Sequence, residues 1–98
     1  MTELTSKQRA MLRSMANTME PVLYIGKDGI TDNTVKEAYD ALEARELIKC
    51  VVQNGCELSA REACDLLCEK THAAPVQCIG KRFVVYRESR ENKRISLK

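Results

Sequence analysis

The sequence predicts a two-layer α/β domain of order αβαβαββ, built on a mixed four-stranded sheet. Three amphipathic helical segments alternate with short apolar, β-prone runs, and this alternation is typical of parallel strands joined by right-handed crossovers. The last two β-prone runs are separated only by a few residues centred on Gly80-Lys81, which indicates an antiparallel hairpin. A chain of 98 residues has the length of one domain, so we assign residues 1–98 to a single unit.

Each predicted helix has an N-terminal capping signal. Thr5 caps the first helix and Gln8 reaches back to it, and Ser59 and Glu62 repeat this capping box at the third helix. The helices are predicted at about residues 6–18, 32–46 and 59–71. The candidate caps of the second helix are Thr31, Asp32 and Thr34, the last in a capping box with Glu37.

Short apolar runs between the helices predict the strands. They cover residues 22–25, 47–53, 76–79 and 83–87. Pro21 marks the break before the first strand, Asn54-Gly55 forms a turn after the second, and Pro75 ends the connection before the third. The aromatic residues lie in strands or on the apolar face of the second helix. We therefore predict core positions, rather than a base-stacking platform, for Tyr24, Tyr39, Phe83 and Tyr86.

The composition argues against several classes of protein. With 44% hydrophobic and 31% charged residues, the chain is globular rather than disordered. Its longest apolar run, residues 83–86, is far shorter than the roughly 20 residues of a membrane-spanning helix. Residues 1–5 lack the basic and apolar segments of a secretion signal. We therefore expect a cytoplasmic protein that does not use a membrane.

The cysteines and the histidine predict neither a metal centre nor an enzyme. The five cysteines are odd in number and form no CxxC pair, so we interpret them as reduced thiols. Cys64 and Cys68 have a helical spacing that can bind metal, but Cys64 lies on an apolar face and is interpreted as a core residue. His72 is the only histidine and has no partner for a catalytic triad. We expect no cofactor, no small-molecule substrate and no catalytic activity.

The net charge of +2 hides a strong asymmetry along the chain. Residues 28–69 carry ten acidic and four basic side chains, whereas residues 81–98 carry seven basic and two acidic ones. Such asymmetry is common in proteins that bind nucleic acid or another charged surface. The alternative interpretation is a solvated and partly disordered basic tail over residues 88–98.

Gly26-Lys27-Asp28-Gly29 lies between the first predicted strand and the second predicted helix. Glycine lets the backbone approach a ligand closely, a helix N-terminus attracts anions, and Lys27 adds a positive charge. These features suit a nucleic-acid backbone, as in the GxxG loop of KH domains. The alternative is an ordinary strand-to-helix turn. A β-branched residue at Gly26 would destabilise that turn if this glycine has a positive φ.

Five segments in this order resemble the CRM domain family (chloroplast RNA splicing and ribosome maturation), in particular its stand-alone bacterial YhbY-type members. They are residues 4–9, 21–22, 25–31, 41–49 and 77–81 followed by 84–87. The resemblance implies a fold similar to the C-terminal domain of bacterial translation initiation factor three. It also implies RNA binding through Gly26 to Gly29 and association with precursors of the large ribosomal subunit. Asp28 departs from the pattern, because members often have a neutral residue there.

The resulting hypothesis is a monomeric RNA-binding protein that assists assembly of the large ribosomal subunit. Its partner would be ribosomal RNA or a large-subunit precursor particle, bound mainly through phosphate contacts. The predicted RNA-binding residues are Lys7, Arg9, Arg13, Gly26, Lys27, Asp28, Gly29, Lys81, Arg82, Arg87, Arg90, Lys93 and Arg94. The alternative is a protein–protein adaptor that binds a basic partner through Glu37, Asp40 and Glu43, with the GxxG loop as a simple turn.

Overall fold

The computed structural model describes residues 4–90 and residue 95, and its element order confirms the predicted αβαβαββ pattern. The helices are α1 (Ser6–Ala16), α2 (Asp32–Arg45) and α3 (Ala60–Thr71). The strands are β1 (Leu23–Ile25), β2 (Leu47–Val52), β3 (Ala74–Ile79) and β4 (Arg82–Tyr86). Within the described residues, no helix is long and apolar enough to cross a membrane.

Helices α1 and α3 begin at the two predicted capping boxes. The main-chain N–H of Gln8 donates to Thr5 Oγ1 at 3.1 Å, and the N–H of Thr5 donates to Gln8 Oε1 at 3.0 Å. Ser59 and Glu62 form the same reciprocal pair at the start of α3. Each box satisfies two main-chain N–H groups that have no partner inside the helix, and so fixes where the helix starts.

Helix α2 begins after Thr31, one of its three candidate caps. The main-chain N–H of Thr34 donates to Thr31 Oγ1 at 3.2 Å. The capping box predicted for Thr34 and Glu37 is wrong, because Thr34 already lies in the first turn of the helix.

The sheet has the strand order β1-β2-β4-β3. β1 and β2 are parallel, and β4 lies antiparallel between β2 and β3. The predicted mixed sheet and the β3–β4 hairpin are therefore confirmed. The sequence predicts Pro75 in the connection before the third strand. The structure corrects this, because Pro75 lies inside β3. β3 is an edge strand with an irregular register between Pro75 and Gln77, a position that tolerates the missing N–H of proline.

Helices pack on both faces of the sheet. On one face, Phe83 and Val85 of β4 are buried in a cluster with residues of α2 and α3. On the other face, Val84 and Tyr86 of β4 are buried with Leu12 of α1. Successive side chains of a strand point to opposite faces, so β4 contributes to both clusters. The domain therefore has three layers, not the two predicted, because α1 packs opposite α2 and α3.

Helix α1 covers only part of its face of the sheet, since its main contacts are with β2 and β3. Tyr24, on the edge strand β1, is 56% exposed, and Ile79, at the end of β3, is 66% exposed. The predicted core position is therefore wrong for Tyr24, which no helix covers. It is also wrong for Tyr39, an exposed residue of α2, but it is confirmed for Phe83 and Tyr86.

All five cysteines are free thiols. Cys50, Cys64 and Cys68 are buried, whereas Cys56 and Cys78 are partly exposed. Burial raises the pKa of the Cys50 thiol far above its ordinary range, which keeps the thiol in its unreactive protonated form. The core position predicted for Cys64 is confirmed. Within residues 4–90 and 95, no three His, Cys, Asp or Glu side chains group as metal ligands.

Candidate nucleic-acid interface

Gly26 to Gly29 form a tight turn between β1 and α2, closed by a hydrogen bond of 3.0 Å from the N–H of Gly29 to the carbonyl of Gly26. Gly29 has a φ of +70°, and a Cβ there would lie 3.3 Å from Leu58 Cδ1. Gly26 does not have a positive φ, and a Cβ there would meet only Gln53 Oε1, at an ordinary 3.6 Å. The sequence predicts that a β-branched residue at Gly26 destabilises the turn only if this glycine has a positive φ, and it does not. The turn requires glycine at Gly29.

The tip of this turn carries both signs of charge. Lys27 and Asp28 are both exposed, and Asp32 is an acidic residue in the first turn of α2. A carboxylate at that position interacts favourably with the helix dipole and so competes with a bound phosphate. The turn therefore offers bare backbone and one lysine, and most of the positive charge for a phosphate strand must come from neighbouring loops.

Two further loops lie beside this turn. The N–H of Gln53 donates to the carbonyl of Ile25 at 2.9 Å, and the N–H of Val52 donates to the carbonyl of Lys81 at 2.7 Å. The ammonium of Lys81 also donates to the side-chain oxygen of Asn54. We call the three loops, 26–29, 53–55 and 80–81, the loop end. It places the exposed Lys81, and Arg82 that follows it at the start of β4, at the same end of the sheet as the predicted phosphate-contacting turn, with β2 between them.

The predicted arginines of α1 follow one side of the helix. Arg9, Arg13 and Asn17 are four residues apart, so they form a stripe along the helix axis. Arg9 lines a cavity at the edge of β3, and Asn17 lines a groove that also contains Arg82. The stripe thus leads from the edge of β3 toward the loop end. Lys7 is exposed but lies on the other side of α1, because two residues turn a helix through about half a circle.

Arg87 is buried and paired within the domain, which argues against the prediction that it contacts RNA. Its Nη2 lies 2.6 Å from Glu43 Oε1, and its Nη1 donates to the carbonyl of Thr71 at 3.1 Å. Its guanidinium also lies 4.0 Å from the centre of the Tyr39 ring. The residue is buried at the opposite end of the sheet from the loop end, where it holds α2, α3 and β4 together. The same ion pair engages Glu43, one of the three residues of the alternative adaptor surface, and leaves its side chain only partly exposed.

Glu46 is a structural residue that sequence reasoning missed. It is fully buried, and its carboxylate accepts hydrogen bonds of 2.8 Å from the main-chain N–H groups of Ser89 and Ile95. No local pattern identifies such a residue, because its partners are 43 and 49 residues away in the chain. We call Glu43, Glu46 and Arg87 the carboxylate end.

The remaining predicted basic residues belong to the segment that follows β4. Arg90 is exposed. Lys93 and Arg94 lie outside the described residues. Two described residues of the predicted tail, Ser89 and Ile95, are held to the domain by their main-chain hydrogen bonds to the Glu46 carboxylate.

Residues 4–87 match the CRS1/YhbY (CRM) domain. The chain belongs to this family. It is 44% identical over 94 residues to "Probable RNA-binding protein YqeI" of Bacillus subtilis, an alignment that covers 96% of this chain and 98% of the relative. It is 36% identical over 93 residues to an RNA-binding protein of Haemophilus influenzae, which covers 95% of this chain and 94% of that relative.

The fold also agrees with a solved structure of a relative. The solution structure of the hypothetical protein SAV1595 from Staphylococcus aureus superposes with a TM-score of 0.81 at 45% sequence identity. The alignment covers 98% of this chain and 100% of that one. The predicted family and α/β fold are therefore confirmed, and the relatives named here are similar to this chain over nearly its full length.

Proposed function

We propose that this CRM-family protein binds RNA through its loop end and assists assembly of the large ribosomal subunit in the cytoplasm. The observation that carries the proposal is that the Gly26–Gly29 turn and the exposed Lys81 and Arg82 lie at the same end of the sheet, linked through the end of β2. Relatives whose names describe RNA-binding proteins support the same interpretation.

Binding of this kind consists of phosphate contacts and requires no bond to be made or broken. Lys27, Lys81 and Arg82 are exposed cations, and each phosphate that they neutralise releases counterions from the RNA. The bare backbone at Gly26 lets a phosphate approach the start of α2, whose N-terminus adds partial positive charge. Phosphate contacts fix position without reading bases, so the shape of the RNA would decide where the protein binds.

The RNA-binding part is tested by titrating labelled RNA at two salt concentrations. The double variant Lys81→Ala/Arg82→Ala should bind more weakly and lower the slope of log affinity against log salt by about two. The matched control is Arg45→Ala/Lys70→Ala, which removes two cations from the last turns of α2 and α3. An equal loss in both variants would show that the overall charge, and not the loop end, attracts the RNA.

The ribosomal part has its own test. Its support is the resemblance to the stand-alone bacterial members of the family, one relative of which aligns with this chain over 98% of that relative's length. After sedimentation of a cell extract, we expect the protein in the fractions that contain large-subunit precursors. The Lys81→Ala/Arg82→Ala variant should move to the top of the gradient. Wild-type protein found only at the top would contradict the ribosomal role while leaving RNA binding intact.

A further inference from the structure

Four residues form one row across the whole sheet next to the loop end. Tyr24 of β1 pairs with Val51 of β2, Val51 pairs with Arg82 of β4, and Arg82 pairs with Ile79 of β3. Neighbouring strands lie about 4.8 Å apart, so the row is about 14 Å long. Directly paired residues project from the same side of a sheet. We call these four residues the open row.

The open row lies on the part of the sheet that α1 leaves uncovered. Ile25 and Phe83, which adjoin row members in β1 and β4, point into the cluster beneath α2 and α3, so the row points the other way. α1 covers this face only farther along the strands, at Val84. Tyr24 and Ile79 are the two most exposed of the large hydrophobic residues identified as exposed in the described chain. They stand at the two ends of the row, with the partly buried Val51 and the exposed Arg82 between them, so the row as a whole is a continuous surface open to a partner.

Three basic residues lie in or beside the open row, and none of its four members is acidic. Arg82 belongs to the row, and Lys81 precedes it in the hairpin. Lys49 lies two residues before Val51 in β2, so its side chain is on the same face of the sheet. Its ammonium donates to the carbonyl of Met19 at 3.3 Å. Tyr24 is only two residues before Gly26, so the row continues directly into the phosphate-contacting turn.

We infer that the open row is a stacking platform for two or three unpaired bases of an RNA strand whose phosphates contact the loop end. The inference rests on the proposed function and adds the form of RNA that this end accepts. One base stacks on the Tyr24 ring, as bases stack on the aromatic side chains of an RRM sheet, and a base farther along the same strand packs against Ile79 at the other end of the row. Bases inside a duplex are already stacked on each other, so the row selects single-stranded segments.

The test uses Tyr24→Ala and Tyr24→Phe with a labelled single-stranded RNA oligonucleotide and with the duplex that it forms with its complement. Tyr24→Ala should weaken single-strand binding about 5- to 150-fold, the range for loss of one base–aromatic stack. Tyr24→Phe should keep wild-type affinity, because it keeps the ring. Both variants should keep the wild-type salt slope and the wild-type affinity for the duplex, because neither removes a charge.

The matched control is Tyr39→Ala, which removes an exposed tyrosine ring from α2 on the other side of the sheet. Because this ring lies against Arg87, thermal melting must first show that the variant is folded. It should leave RNA affinity unchanged. Ile79→Ser should weaken single-strand binding in the same direction as Tyr24→Ala. Thermal melting should show that the Tyr24 and Ile79 variants remain folded, since both side chains are mostly exposed.

The outcomes separate this inference from the proposed function. If the wild-type protein binds RNA and Tyr24→Ala binds it equally well, the platform is refuted and the proposed function stands. If the wild-type protein binds no RNA, both fall. Equal losses in Tyr24→Ala and Tyr24→Phe, or in duplex and single strand, would refute stacking. If Tyr24→Ala instead changes the sedimentation of the RNA-free protein, the row is a contact between two copies of the chain.

Discussion

The two ends of the sheet use basic side chains in opposite ways. At the loop end, Lys81 and Arg82 are exposed and take no part in the ion pairs found among residues 4–90 and 95. At the carboxylate end, Arg87 is buried against Glu43, only five residues after Arg82 in the chain. The difference depends on whether folding brings a carboxylate to the guanidinium. A run of basic residues therefore locates charge, but only the tertiary arrangement shows which charges can reach a partner.

The largest effect that would test this contrast is expected for Glu46→Ala. The variant removes the carboxylate that accepts from the buried N–H of Ser89 and the partly buried N–H of Ile95, so we expect a loss of about 3 kcal/mol of unfolding free energy. For a domain of this size, that corresponds to a fall in Tm of roughly 15 °C. Glu46→Gln keeps an acceptor oxygen and should lose less. A Glu46→Ala protein that melts like the wild type would show that the carboxylate does not attach the C-terminal segment.

Arg87→Met should destabilise the fold by about 2 kcal/mol, because it removes the partly buried ion pair with Glu43 and the hydrogen bond to the carbonyl of Thr71. The double variant Glu43→Gln/Arg87→Met should lose less than the sum of the two single changes. Arg90→Met, at an exposed position, is the control and should shift stability within about 0.5 kcal/mol. RNA affinity of the folded Arg87→Met protein should match the wild type. A lower salt slope would place Arg87 in the interface after all.

The two glycines of the turn should differ in their tolerance of substitution. Gly29→Ala puts an alanine at a position with left-handed backbone and brings its Cβ close to Leu58. We therefore expect a loss of about 1–2 kcal/mol of unfolding free energy. Gly26→Ala should change stability by less than about 0.5 kcal/mol, because its new Cβ makes only an ordinary contact. Equal melting temperatures for the two variants would contradict this distinction.

Changes at the tip of the turn should alter binding with almost no effect on stability. Lys27→Ala should weaken RNA binding and lower the salt slope by about one, and adding Asp28→Lys should offset that loss. Both side chains are exposed, so unfolding free energy should stay within about 0.5 kcal/mol of the wild type. If neither change alters affinity while neutralising Arg90, Lys93 and Arg94 does, the basic tail is the RNA site and the turn is only a turn.

Most features set by neighbours in the chain were predictable from the sequence, although the capping box predicted at Thr34 and Glu37 was wrong. The capping boxes at Thr5 and Ser59 depend on residues three positions apart, and both are present as predicted. Alternating helices and strands indicated the order of the elements and the mixed sheet. The GxxG turn was also located correctly, although the glycine that needs a positive φ is Gly29, a detail that spacing alone does not distinguish from Gly26.

Features set by distant contacts were not predictable. Tyr24 is exposed because β1 is an edge strand and α1 does not extend over it, and neither fact is visible in a short apolar run. Arg87 and Glu46 have partners more than 40 residues away along the chain, so their burial depends on the completed fold. Charged residues in a basic or acidic segment look alike until the fold separates those on the surface from those that hold elements together.

The position of β4 has a consequence for how the chain reaches its native state. β4 follows the other three strands in sequence, yet it lies between β2 and β3 and contributes to the clusters on both faces. A nascent chain that ends before Arg82 can form only the short parallel β1–β2 pair, with β3 left without a neighbour. The β2–β4 pairing also closes a long loop through α3 and β3, which slows folding relative to local pairing. Cooperative folding therefore has to wait until β4 has been synthesised and is free to insert.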